Sequence, residues 1–129
     1  MTDIKELRSW ISSAEEDFTA AKALLSQKKP LLFGACFHAQ QCAEKYIKAL
    51  LLMKDAGFPK THDLVTLNTL CDQAGIFTGF DPLQLIELSR HAVQSRYPGN
   101  QPTLEEAKEA ISISRTIRRI ARSLLGLKR

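Results

Sequence analysis

The sequence predicts an all-α fold: one domain spanning residues 1–129, built as an antiparallel up-and-down bundle of four to five helices. Three observations carry this. Apolar residues recur at alternating steps of three and four over long stretches, which is the period of an amphipathic helix. Strand signals are nearly absent, since Val occurs only at positions 65 and 93 and no stretch alternates apolar and polar for long. Helix starts and stops are marked by capping side chains, Pro and Gly at intervals along the chain.

The first helix is expected from about Asp3 to Gln27. Ile4, Leu7, Ile11, Ala14, Phe18, Ala21 and Leu25 fall on one stripe with Trp10 beside it, and Asp3 followed by Glu6 suits an N-terminal cap. Lys28-Lys29-Pro30 closes this helix and opens the second, expected from about Pro30 to Asp55, because Pro is tolerated in a first turn. So short a connection makes the two an antiparallel hairpin. Gly57-Phe58-Pro59 ends the second helix, and Thr61-His62-Asp63 starts a third that reaches about Ala74, with Thr61 a natural N-cap.

Asp81-Pro82 starts the fourth helix with a capping carboxylate and a Pro at the first helical position. This helix stops before Tyr97-Pro98-Gly99-Asn100-Gln101-Pro102, which cannot be helical throughout. Thr103 and Glu106 frame a capping box for the fifth helix, whose core stripe is Leu104, Ala107, Ile111, Ser114, Ile117, Ala121 and Leu124.

Composition excludes several classes. No apolar run approaches the roughly 18 residues of a membrane span. The N-terminal stretch has acids where a signal peptide has basic residues followed by an apolar run, so a cytoplasmic location is expected. Cys36, Cys42 and Cys71 are odd in number and lack C-x-x-C spacing, which argues for buried free thiols rather than disulfides or zinc. His38 and Cys42 stand four apart, a spacing that can serve a metal or a nucleophile–base pair. No third ligand lies nearby in sequence, so neither a metal site nor a cofactor is expected.

The net charge of +4 is concentrated at one end. Arg115, Arg118, Arg119, Arg122, Lys128 and Arg129 follow one another with no acid among them. Glu105, Glu106 and Glu109 open the same helix, and acid-first, base-last is the order the helix dipole favours. The alternative is a stripe for RNA or other phosphates formed by Arg115, Arg118, Arg119 and Arg122, although no aromatic is interleaved to stack on bases.

The second helix carries the most informative pattern. Leu32, Cys36, Ala39, Ala43, Ile47 and Leu50 make an apolar face. Beside it a stripe begins as Phe33 and Phe37, turns polar at Gln40, Gln41, Glu44 and Lys48, then ends on Leu51. Gln41, Glu44, Lys45 and Lys48 can be joined by i,i+3 and i,i+4 contacts. They form either a solvated face of weak ion pairs or a partly buried site that needs a partner group, since burying them alone costs a few kcal/mol.

The residues Trp10, Ala14, Asp17 and Ala21, the run from Phe37 to Leu50 (FHAQQCAEKYIKAL), Thr61-His62-Asp63-Leu64 with Leu67, and Arg96-Tyr97-Pro98 resemble, in this order, the HEPN domain family of higher eukaryotes and prokaryotes. The resemblance covers nearly the whole chain. It implies a helical bundle similar to the C-terminal domain of kanamycin nucleotidyltransferase, usually a homodimer. It also implies nucleotide binding and, for stand-alone prokaryotic members, a partner that is a minimal nucleotidyltransferase in toxin–antitoxin-like systems. Many other members are metal-independent endoribonucleases with an Arg followed by His after four to six residues. No Arg in this chain has a His at that distance, which argues against that chemistry.

The resemblance makes Gln41, Glu44, Lys45, Lys48, His62, Arg96 and Tyr97 candidates for binding a ligand or partner. Arg96, His62 and His91 are the weak catalytic candidates. His62 also reads as a hydrogen-bonding residue at a helix start, and Arg96 as an ion-pair partner for Glu44 across the bundle. Three functions stay open: a non-enzymatic nucleotide-binding or partner module, an atypical endoribonuclease toxin, and a purely structural dimerisation module.

Overall fold

The computed structural model describes residues 2–92 and 98–129. Its helices are α1 (Ile4–Leu25), α2 (Leu32–Met53), α3 (Leu64–Gln73), α4 (Pro82–Ser89), which runs on into a 3₁₀ turn at Arg90–Ala92, and α5 (Leu104–Leu124). Among the described residues there is no strand, so the all-α expectation holds.

The starts are set by local chemistry. Asp3 accepts from the backbone N–H of Lys5 and Glu6, Asp81 from Leu83, and Thr103 and Glu106 close a full capping box. Each offers an acceptor to an N–H that has no partner within its helix. Two expected starts move. α2 begins at Leu32 rather than near Pro30, because Leu31 is non-helical and its N–H is drawn back to the carbonyl of Leu24. α3 begins at Leu64 with Asp63, not Thr61, as its cap. Thr61 Oγ1 instead accepts from the N–H of Asp63, which makes a turn ahead of the helix. α4 is also shorter than expected, giving way to 3₁₀ geometry at Arg90. The helix ends at Gln27 and Asp55 shorten to Leu25 and Met53.

α2 is the axis of the bundle and packs against every other helix. α1 lies antiparallel to it: Thr2 Oγ1 donates to the carbonyl of Met53 at one end, and Leu31 bonds to Leu24 at the other. α5 runs parallel to α2, with Ser114 beside Ala39 and Arg122 beside Tyr46. Tyr46, Ile47, Leu50, Leu51, Leu64, Leu67, Leu85 and Leu88 are fully enclosed. Enclosing each large aliphatic or aromatic side chain contributes about 1.5–3 kcal/mol. The small residues Ala14, Ala21, Ala35, Ala39, Ala43, Ala107 and Ala121 are fully buried between the helices. Ile4, Leu104 and Leu124 belong to the expected core stripes but are exposed, since they sit at helix ends where no neighbour reaches.

Candidate functional site

The polar strip of α2 is buried at Gln40, Glu44 and Lys48 and half-buried at Gln41 and Lys45, which favours the partly buried site over the solvated face. The Glu44 side chain is 5% exposed, that of Lys48 is 9%, and Gln40 is fully enclosed. The partners that such burial demands come from α2 itself and from the segment leading into α3. Gln40 Nε2 donates to Glu44 Oε1 at 3.2 Å and to the carbonyl of His62 at 3.1 Å. Gln41 Nε2 donates to Gln40 Oε1 at 2.7 Å and to Glu44 Oε1 at 3.4 Å. Lys48 Nζ donates to Glu44 Oε2 at 3.0 Å, and His62 Nδ1 lies 2.8 Å from Glu44 Oε1. Glu44 is thus the hub, with Gln40 tying it to the α2–α3 connection.

His62 differs from its partners. Its side chain is 62% exposed, yet its Nδ1 is held on a buried carboxylate. That arrangement holds the ring by its Nδ1 edge and, among the described residues, no hydrogen bond engages Nε2. On the other side of the hub, Lys48 Nζ lies 5.7 Å from the Trp10 ring centroid and 5.5 Å from that of Phe58. Trp10 and Phe58 meet edge to face at 5.8 Å. An open hollow of about 230 Å³ beside Trp10 is lined by Glu6, Ser9 and Ser13.

Lys45 does not join this cluster. One step further round α2, it faces α1, where Nζ donates to Asp17 Oδ2 at 2.7 Å and to Ser13 Oγ at 2.8 Å. Asp17 Oδ1 also lies 2.7 Å from His38 Nδ1. His38 therefore pairs with Asp17, and Cys42 is a fully buried thiol pushed up to about 12 by desolvation. Cys36 and Cys71 are buried and raised to about 12 by the same cause. Among the described residues no cluster of His, Cys, Asp and Glu could hold a metal ion.

His91 is buried in the 3₁₀ turn, and desolvation lowers its pKa, which favours the neutral ring. Arg96 and Tyr97 lie outside the described residues. The expected ion pair of Arg96 with Glu44 falls there too.

At the basic end, Arg118 forms a two-pronged ion pair with Glu15, both N···O distances being 2.7 Å. Tyr46 donates its hydroxyl to the same Glu15, and Arg122 donates to Tyr46 Oη at 3.0 Å and to the carbonyl of Lys128. This knot joins α1, α2 and α5. Glu15 is held below the usual carboxylate range: partial burial works the other way, but the hydrogen bonds from Arg118 and Tyr46 and the two guanidinium charges outweigh it. Arg115 and Arg119 are exposed.

The sequence pattern did not single out Glu15, it set His38 against Cys42 rather than Asp17, and Asp17 and Tyr46 entered only through the resemblance. The available signal was Asp17 itself, which shares the stripe of Ala14 and Ala21 (i, i+3, i+7), where an acid needs a cation from the facing helix.

Among the described residues no helix is long and apolar enough to cross a membrane. Comparison with known proteins gives a consistent picture. No curated protein matches the chain. A solved structure, that of TT1696 from Thermus thermophilus, is similar at 24% identity with a TM-score of 0.72, over 91% of this chain and 96% of that one. At that identity the likeness shows the fold. The model of the HEPN domain matches residues 7–124. With that match over nearly all of its length, on a helical bundle centred on α2, the chain belongs to the HEPN domain family.

Proposed function

We propose that this protein is a non-enzymatic, nucleotide-binding HEPN module that works in the cytoplasm as a homodimer, alongside a minimal nucleotidyltransferase in a toxin–antitoxin-like system. The observation that carries the nucleotide reading is the continuous line Trp10–Lys48–Glu44–His62. An aromatic ring stands at one end and an oriented, exposed imidazole at the other, linked through a buried ion pair. A base has a π-face to set against Trp10 in the open hollow, and His62, whose Nδ1–H is held on Glu44, can donate from Nε2 to a phosphate oxygen when its ring is in the imidazolium form. Glu44, Lys48, Gln40 and Gln41 act as the frame, hydrogen-bonded to one another around Glu44 and Gln40. The absent Arg–His spacing and the enclosed, neutral His91 both favour binding over cleavage.

Titration calorimetry of the purified protein with ATP and GTP tests this reading. Binding that weakens about tenfold in His62→Ala and in Trp10→Ala is expected. Absence of binding, together with failure to co-purify with a co-expressed minimal nucleotidyltransferase, overturns it.

One observation favours a second reading, an atypical endoribonuclease. A carboxylate on Nδ1, with no hydrogen bond on Nε2 among the described residues, is also how a general acid/base histidine is oriented. Purified protein that cleaves RNA without added metal, and loses that activity in His62→Ala while keeping its fold, would establish it.

A further inference from the structure

The helix dipole does not account for the basic stripe on α5. Dipole stabilisation is confined to about the last turn, and of the four arginines only Arg122 lies there. Arg115 sits near the middle of the helix. Arg118 and Arg122 are committed to Glu15 and Tyr46, whereas Arg115 and Arg119 are exposed and, among the described residues, have no carboxylate within ion-pair distance.

α1 adds a cation beside the same stripe. Lys22 Nζ lies 4.7 Å from the Phe18 ring centroid, and the guanidinium carbons of Arg115 and Arg118 lie 5.6 and 5.0 Å from it. Lys22 is also exposed and free of carboxylate partners among the described residues. Three cations from two helices thus converge on one buried aromatic ring, and the exposed Arg119 follows one turn on from Arg115. Arg118 has Glu15 as its counter-ion, whereas Lys22 and Arg115 have none among the described residues, and an anion spanning them would supply it.

Phe18 is buried, so it orients the cations and has no face left for a base. A site rich in cations with no open stacking platform suits a phosphate backbone better than unpaired bases. From Arg115 to Arg122 the stripe runs roughly 10 Å along the helix at about 1.5 Å per residue, longer than a single phosphate.

We propose that Lys22, Arg115 and Arg119, braced by Arg118, bind the phosphodiester backbone of a nucleic-acid duplex across the surface where α1 and α5 meet. This surface does not include His62 or Trp10, and it stands or falls independently of the nucleotide reading.

Fluorescence anisotropy of the full-length protein with a short RNA duplex, and with a DNA duplex of the same sequence, tests it across a salt series. Wild type should bind with an affinity that falls as salt rises. Lys22→Ala/Arg115→Ala should weaken binding about tenfold at low salt and flatten the log–log salt slope by about 0.9 for each cation that meets a phosphate. Lys5→Ala/Lys54→Ala removes the same charge elsewhere and should bind as wild type does. RNA and DNA binding alike assigns the backbone alone, and preference for RNA adds the 2′-hydroxyl; both support the site. Unchanged binding in the Lys22/Arg115 variant overturns it. So does failure to bind either duplex, including the case in which a polyglutamate peptide occupies these residues instead.

Discussion

Glu44 bears a charge in a place that tolerates one only because four side chains address it: Gln40, Gln41, Lys48 and His62. Removing one partner of a buried ion pair strands the other, which typically costs about 3–5 kcal/mol. Glu44→Gln should therefore destabilise the protein by about 3 kcal/mol, read as a lower urea midpoint with an unchanged slope. Glu44→Gln/Lys48→Met should recover much of that loss, since the stranded ammonium is gone; a double variant no more stable than the single one would mean that Lys48 is not the liability. The hub was half legible in the sequence. The spacing of Gln41, Glu44 and Lys48 put them within reach of one another, but spacing along a helix reports neighbours on that helix and not which segment covers them. The lid supplied by His62, and the turning of Lys45 toward Asp17, depend on how α1 and the α2–α3 connection pack.

Helix identity and order follow from the three-and-four period and the caps, which are local and visible in sequence; Asp3, Asp81 and the Thr103–Glu106 box all act where expected. What was not visible is how closely helices approach. Gly34, in the first turn of α2, faces α1 so tightly that an added Cβ would lie 2.7 Å from Leu24 Cδ1. That atom is the end of a flexible, partly buried side chain, so it can move. Ala also gains about 1 kcal/mol over Gly in a helix. The two effects oppose, and Gly34→Ala should fall within about 1 kcal/mol of wild type by chemical denaturation. Gly34→Leu, too large for Leu24 to accommodate, should lose about 1–3 kcal/mol by pushing the α1–α2 hairpin apart. Equal effects from the two would mean that the approach is looser than the structure indicates.

At the scale of the whole molecule, burial of ionisable groups sets the pH range of stability. His91 is held neutral, with its pKa below the ordinary 6.5, mainly by desolvation. Below about pH 6.5 the unfolded chain takes up a proton there that the folded chain refuses, so stability falls with falling pH. Glu15 and Glu106 have lowered pKa values, so their contributions are present above the ordinary 4.5 and are lost further into acid. The alkaline side has the opposite origin. Cys36, Cys42 and Cys71 are each raised from 9.0 to about 12, and burial raises Tyr46 as well. Above about pH 9 the unfolded chain loses protons that the folded chain keeps, and stability falls again. The urea midpoint should therefore form a plateau between about pH 6.5 and 9, with the first acid loss assigned to His91. His91→Asn should carry the plateau further into acid without moving its alkaline edge, and Cys42→Ala should soften the alkaline decline alone. A single maximum near about pH 5, or an acid limb that His91→Asn leaves untouched, would show that groups other than the enclosed imidazole govern the fold's response to protons.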